Sequence, residues 1–334
     1  MTIKVLGIDL AKRIFQLYGV DAKDKTVLKK RVGREQLLNV VANLPPCLIG
    51  MESCGGSNYW ARQFQAFGHK AKLMSPQYVK PYVKTNKNDA NNAEAIWEAV
   101  ARPNMRFVPI KDVEQQDIQS LHRYRQRVVQ QRIALVNQIR DLLTEYEFVA
   151  SHGIGCMHKK LPEILENQQN QLTSLAHEVF CQLLQELLHV DEQVKLLDKH
   201  IARLSEMIEV CKKIKQVEGI GPLTATALVT AIGNVANFKN GRHLAAWLGL
   251  VSRQYSSGNK KVLLGISKRR DRYSRTLLIH GARAFISCAK RQSAWLESLI
   301  RRCGKQKSYV ALANKNARIV WALLANQAES QSIH

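Results

Sequence analysis

Val5-Leu6-Gly7-Ile8-Asp9, an apolar run of strand length closed by a carboxylate, is the stretch on which the reading of this chain turns. A second run of the same build, Leu48-Ile49-Gly50-Met51-Glu52, follows further on. Short, uninterrupted apolar runs of this kind read as buried strands. A third acid, Asp89, opens the helical stretch Asn88-Asp89-Ala90-Asn91-Asn92-Ala93-Glu94-Ala95-Ile96. Carboxylates from two strand ends and a helix can hold a hard divalent cation such as Mg²⁺. Two such ions can activate a nucleophile and stabilise the leaving oxygen of a phosphodiester. Taken singly, each acid is better explained as a cap or turn residue, Asp89 as a helix N-cap and Glu52 as the partner of a lysine. Only their joint arrangement favours a metal site. Asn92 lies one helical turn beyond Asp89 on the same face. An acid there would complete a cluster of four, whereas asparagine offers a carbonyl and no charge. Glu94 and Glu98 are poorly placed to replace it.

Around these acids the first part of the chain reads as α/β. Strands are predicted over Ile3 to Leu10, Ile14 to Val20, Thr26 to Val32, Cys47 to Met51 and Lys70 to Met74. Helices are predicted over Glu35 to Leu44, Ser57 to Phe67 and Asp89 to Val100. The order β-β-β-α-β-α-β-α is that of the ribonuclease H fold, with acids at the ends of the first and fourth strands. We place this domain at residues 1–112.

Residues 113–213 read as a coiled-coil or helical hairpin. Leu121, Val128, Leu135 and Leu142 recur every seven residues. Leu183, Leu187, Val190, Val194, Leu197, Ile201, Leu204 and Ile208 alternate in steps of four and three, an a/d seam. An antiparallel hairpin that also supports oligomerisation is expected, with Ser151 to Gln182 as the connector.

Residues 214–334 read as a mainly helical third domain. It opens on Gly219-Ile220-Gly221-Pro222, the turn of a helix-hairpin-helix-like element. Its glycines would let backbone N–H groups approach a phosphate at a helix N-terminus. Further on, Ser256-Ser257-Gly258 precedes Lys260 and Lys261, and Ser267 precedes Lys268, Arg269 and Arg270. A serine oxygen flanked by cations can attack phosphorus, yet from spacing alone these serines read as filler in a polar loop. Arg272, Arg275, His280 and Arg283 suit phosphate contacts or a solvated helix face equally.

Composition narrows the partner. Lys and Arg outnumber Asp and Glu 50 to 27 over 334 residues, a net charge of +23. With 46% hydrophobic residues the chain can bury substantial cores, so it is a folded basic protein, whose default partner is nucleic acid. No apolar run is long enough to span a bilayer, the N-terminus does not read as a signal peptide, and the seven scattered cysteines suit a reducing cytoplasm. A bacterial, cytoplasmic, nucleoid-associated protein is expected.

Several short stretches, in order, carry a more specific resemblance. They are Gly7-Ile8-Asp9-Leu10-Ala11-Lys12, Met51-Glu52-Ser53-Cys54-Gly55, Lys87-Asn88-Asp89-Ala90-Asn91-Asn92-Ala93-Glu94-Ala95, Gly219-Ile220-Gly221-Pro222, Ala246-Trp247-Leu248-Gly249-Leu250, Ser256-Ser257-Gly258 and Gly265-Ile266-Ser267-Lys268. Through them the whole chain resembles the DEDD transposases of the IS-one-ten insertion-sequence family, IS-eleven-eleven subgroup, a family that also includes the Piv DNA invertase. The resemblance implies a RuvC-like first domain, a coiled-coil middle and a C-terminal transposase domain. It implies recombination of donor and target duplex DNA, guided by a noncoding bridge (or seeker) RNA, in a homo-oligomer such as a dimer or tetramer. By that match Asp9, Glu52 and Asp89 are the Mg²⁺ ligands. Ser257 is the nucleophile that forms a phosphoserine link, with Ser256 as the substitute. From their own chemistry, and not from the match, Gly219, Gly221, Lys260, Lys261, Lys268, Arg269 and Arg270 are expected to contact nucleic acid. The chain departs from the family at Asn92, where aspartate is expected. The departure implies weakened metal binding and impaired cleavage, and it reads as an introduced change or as a natural one, the former favoured by the otherwise intact pattern. Two other readings compete: a junction-resolving nuclease that needs the acids alone, and a non-catalytic RNA- or DNA-binding protein.

Overall fold

The computed structural model describes residues 2–84, 89–167, 169, 171–258, 260–289 and 292–332, and of residues 261 and 327–332 the backbone only. The chain divides into two compact units, residues 1–115 and 116–334.

The first unit is built on a six-stranded mixed sheet. Its elements are β1 (Val5–Asp9), β2 (Ile14–Val20), β3 (Thr26–Gly33), α1 (Leu37–Ala42), β4 (Leu48–Glu52), α2 (Ser57–Ala66), β5 (Lys70–Met74), α3 (Pro76–Val79), α4 (Asp89–Val100) and β6 (Phe107–Val108). Strand order across the sheet is β3-β2-β1-β4-β5-β6. β1 pairs antiparallel with β2 and parallel with β4, β5 runs parallel to β4, and β6 closes the edge antiparallel to β5. The expected element order is therefore present, with α3 and β6 as additions.

Alternate residues of each strand face opposite sides, and both sides are covered. Leu6, Ile8, Phe15, Leu17, Ile49 and Met51 pack with Leu37, Val41, Trp60 and Phe64 of α1 and α2. Val5, Val20 and Met74 pack with Ala95, Ile96, Ala99 and Val100 of α4. Burial on two faces is why β1 and β4 appear in the sequence as unbroken apolar runs. Gly7 and Gly50 are register partners in adjacent strands. A Cβ on Gly7 would stand 2.3 Å from the Ala93 carbonyl oxygen and 2.6 Å from the Trp97 nitrogen, and one on Gly50 would stand 2.7 Å from Val100 Cβ. The two glycines form the floor on which α4 lies.

The second unit comprises all but the first three residues of α5 (Val113–Thr144), with α6 (Ile154–Glu166), α7 (Ser174–Met207), α8 (Glu209–Ile214), α9 (Pro222–Ile232), α10 (Gly241–Trp247), β7 (Ser252–Ser257), β8 (Lys260–Ile266), α11 (Arg272–Cys288) and α12 (Ala294–Ser332). α12 breaks at Gly304, whose φ of 76° lies outside the helical region. α5 and α7 run antiparallel: Arg125 pairs with Asp198 at 2.5 Å and Arg132 with Asp191 at 3.0 Å, one number rising as the other falls. Of the predicted α7 seam, Leu187, Val190, Val194, Leu197 and Ile201 are buried. On α5 the seven-residue repeat drifts: Val128 and Leu135 are buried, but Leu142 is exposed and Leu143 takes its place inside. A straight helix has 3.6 residues per turn, so an exact seven-residue repeat leaves its face. The expected connector is more structured than read. It contains α6, which buries Met157, Leu161 and Ile164, and α7 starts within it. Residues of α8 to α12 share one core that includes Ile214, Leu228, Leu244, Leu278, Leu312 and Val320. The region expected to be mainly helical also carries a two-stranded hairpin, β7–β8. Every residue of β7 is exposed, so no apolar alternation marked it in the sequence.

Candidate active site

Asp9 and Glu52 end neighbouring parallel strands one step beyond the register pair Ile8 and Met51. Adjacent strands lie about 4.8 Å apart. Each acid sits two residues after a floor glycine, so each points to the side of the sheet that α4 covers. The close approach at Gly7 then sets the first turns of α4 beside the end of β1. There Asn92 Nδ2 donates a hydrogen bond of 3.2 Å to Asp9 Oδ2. Both acids also act on Cys54, which follows Glu52 by two residues. Its thiol is raised above the ordinary range, first by burial of the sulfur and then by the negative charges of Glu52 and Asp9. In the sequence, the only signal for Cys54 is its place two residues after Glu52.

Asp89 is the first residue of α4 and is exposed. It supplies first-turn charge to the helix dipole. Among the described residues no group of three His, Cys, Asp or Glu side chains is gathered closely enough to hold a metal ion. Asp9, Glu52 and Asp89 thus do not form a ready-made three-acid pocket. Like charges without a cation between them repel, and at Asp9 the amide of Asn92 supplies an N–H. Mg²⁺ is commonly held by only one or two carboxylates, with water and substrate phosphate completing its shell. The oxygen donors at the ends of β1 and β4 fit that kind of site. Glu94 and Glu98 are engaged elsewhere: Lys84 bridges them at 3.4 and 3.2 Å, and Arg102 meets Glu98 at 2.6 Å.

The serines lie in the second unit. Ser257 pairs with Lys260 as the last rung of the β7–β8 hairpin, and Gly258 beyond it has a φ of 58°. That left-handed glycine is what a two-residue hairpin turn requires. Both serine side chains are exposed. Ser256 Oγ accepts a 2.8 Å hydrogen bond from Gln254 Nε2, whereas Ser257 stands at the tip beside Lys260. The Lys261 side chain lies outside the described residues.

Other predicted contacts have structural duties. Gly219 has a φ of 79°, and a Cβ there would stand 2.9 Å from the Gly281 carbonyl oxygen of α11. Glycine is therefore required at 219 by helix packing. Gly221 precedes α9, with open space where a side chain would begin. Lys268 and Arg270 take left-handed backbone angles in the loop before α11. That loop is held by Arg275, which is buried and donates to the carbonyls of Leu248 and Arg269 at 3.0 and 2.9 Å. Arg275 is therefore not a solvated residue: it is buried, and its Nη1 is engaged by backbone oxygens.

A model described as Transposase IS116/IS110/IS902 family matches residues 211–297, and a DEDD transposase model of the IS110 type matches residues 6–148. The chain is 46% identical over 329 residues to the transposase for insertion sequence element IS1111A of Coxiella burnetii, covering 97% of this chain and 90% of that protein. It is 43% identical to a probable family 20 transposase of Pseudomonas aeruginosa, covering 98% of each chain. It is 36% identical to the transposase for insertion sequence element IS1328 of Yersinia enterocolitica, covering 96% of each.

Proposed function

The chain belongs to the IS116/IS110/IS902 family of transposases, and from that premise we propose that it recombines donor and target duplex DNA through its strand-end acids and its hairpin serine, guided by a bridge RNA, in a homo-oligomer. The observation that carries this reading is the placement of Asp9 and Glu52 on adjacent strand ends, with α4 laid against them and Asn92 bonded to Asp9. In this proposal Asp9 and Glu52 would hold Mg²⁺ in a RuvC-like domain, with Asp89 joining them only once the ion and the DNA phosphate are bound. Bound, the ion would supply charge stabilisation to the phosphate and its leaving oxygen. Ser257 Oγ forms the new bond to phosphorus, the bond to the sugar oxygen breaks with its electron pair, and the serine proton passes to solvent. Lys260, across the hairpin from Ser257, stabilises negative charge on the phosphate. Ser256 is the weaker nucleophile, since its oxygen is held by Gln254.

A second reading, nucleic-acid binding without cleavage, is favoured by the Asn92 amide, which occupies one oxygen of Asp9. One experiment separates the two. The Asn92→Asp protein, with Mg²⁺, the element's RNA and both DNA partners, is expected to form a covalent protein–DNA adduct that Ser257→Ala abolishes. Strand exchange by the Ser257→Ala version would refute the serine role and leave a serine-independent nuclease. Absence of any cleavage after Asn92→Asp would leave the binding role alone.

A further inference from the structure

A groove of about 750 Å³ in the second unit is lined by residues other than those of the hairpin tip. Its walls are the hairpin root, where Ser252 pairs with Ile266, and both halves of α12. Lys307, Lys315 and Arg318 line it, and no carboxylate does among the described residues. Trp295 also lines it, 42% exposed, with Lys315 Nζ 4.1 Å from the centre of its ring. Two contacts tie the wall formed by the second half of α12 to its neighbours. Asn314 Nδ2 donates to the Leu250 carbonyl at 3.2 Å, tying α12 to the hairpin root. A Cβ on Gly241 would stand 2.9 Å from Arg318 Cα, so α10 and α12 are in backbone contact there.

We propose that this groove binds an unpaired stretch of nucleic acid, one base stacked on Trp295 and the neighbouring phosphates held by Lys307, Lys315 and Arg318. The inference rests on the DNA-processing reading above and adds a site that neither the acids nor the serines supply. A wide apolar ring left half in water calls for a flat apolar partner, and three cations with no acid call for a polyanion. An unpaired nucleotide is both. A duplex keeps its base faces inside the stack, so only an unpaired base presents one to an indole. The groove volume suits a ligand of that size and not a double helix. Lys315 can leave the ring for a phosphate when a base arrives, exchanging a cation–π contact for an ion pair. From Ser252 at the root to Ser257 at the tip, the extended strand spans roughly 17 Å. The groove would thus hold the single strand beside the phosphodiester that Ser257 attacks.

The test uses the full chain with labelled oligothymidylate and a duplex of equal length, read by fluorescence anisotropy. Trp295→Ala should weaken oligothymidylate binding roughly tenfold and duplex binding far less, while Trp295→Phe stays near the unsubstituted protein. Lys315→Gln and Arg318→Gln should each lower the salt slope by about one. Ultraviolet crosslinking of the unsubstituted protein to oligothymidylate, which needs no variant, should place the adduct on the peptide bearing Trp295. Unchanged oligothymidylate affinity in Trp295→Ala, or an adduct confined to other segments, overturns the groove and leaves the transposase reading standing. Equal weakening of both ligands overturns the unpaired base. Loss of self-association with nucleic-acid affinity intact assigns the groove to a second copy and overturns it as well. Failure of the unsubstituted protein to bind any nucleic acid sinks the functional reading itself, and this inference with it.

Discussion

The amide of Asn92 does something no carboxylate could do at that position: it donates to Asp9. Aspartate has nearly the same shape but would bring a second negative charge against Asp9 and remove the donor. Asn92→Asp is therefore expected to destabilise the metal-free protein by about 1–3 kcal/mol, with the loss reversed by millimolar Mg²⁺ in thermal melts. A melt indifferent to Mg²⁺ in that variant would argue against an ion between the strand ends. Cys54 gives a second readout at the same site. Its thiol is held above the ordinary range by burial and by Glu52 and Asp9, and the thiolate is the reactive form. Asp9→Asn and Glu52→Gln should therefore each speed its alkylation at mildly alkaline pH. Cys47 and Cys211, buried and pushed up to about 11, should stay unlabelled until the protein unfolds.

At the scale of elements, the position of α4 depends on two missing side chains. Gly7→Ala would place a methyl group against helix backbone, and Gly50→Ala would place one against Val100. Overpacking of this kind costs about 1–3 kcal/mol, measurable by urea unfolding. Because Gly7 lies against the first turns of α4, its substitution should also weaken Mg²⁺ binding more than Gly50→Ala does. In the second unit, His122 joins three helices. Thr226 Oγ1 spends its hydrogen on the Pro222 carbonyl, so His122 Nε2–H donates to Thr226 at 3.0 Å and Nδ1 accepts from the Tyr273 hydroxyl at 3.0 Å. Burial, with a smaller push from Arg125, lowers His122 to about 4. The unfolded chain takes up that proton first, near 6.5. The stability His122 contributes is thus complete above about pH 6.5 and is lost as pH falls towards 4, roughly 3 kcal/mol in all. His122→Gln should flatten the stability profile across that window, and an unchanged slope would place the acid sensitivity elsewhere.

For the molecule as a whole, a net charge of +23 sets the terms of binding. Affinity for nucleic acid should fall linearly on a log–log plot against salt, by roughly a thousandfold or more between ~50 and ~200 mM if six or more phosphates are contacted. A flat plot would remove the electrostatic argument for a polyanionic partner. Among the described residues no helix is long and apolar enough to cross a membrane.

The sequence by itself determined five of the six strands of the first unit, their order along the chain and the places of Asp9 and Glu52, because strands buried on both faces, such as β1 and β4, leave short apolar runs whose ends are visible. It also determined the seam of α7, because a helix packed along its length repeats its apolar side chains. Tertiary structure alone decided that Asn92 meets Asp9, that Arg275 is buried under the loop before α11, that Gly219 faces Gly281, and that Ser257 caps a hairpin. Each of these depends on backbones approaching from distant parts of the chain or on strands with no buried face. Neither condition writes a periodic pattern into neighbouring residues.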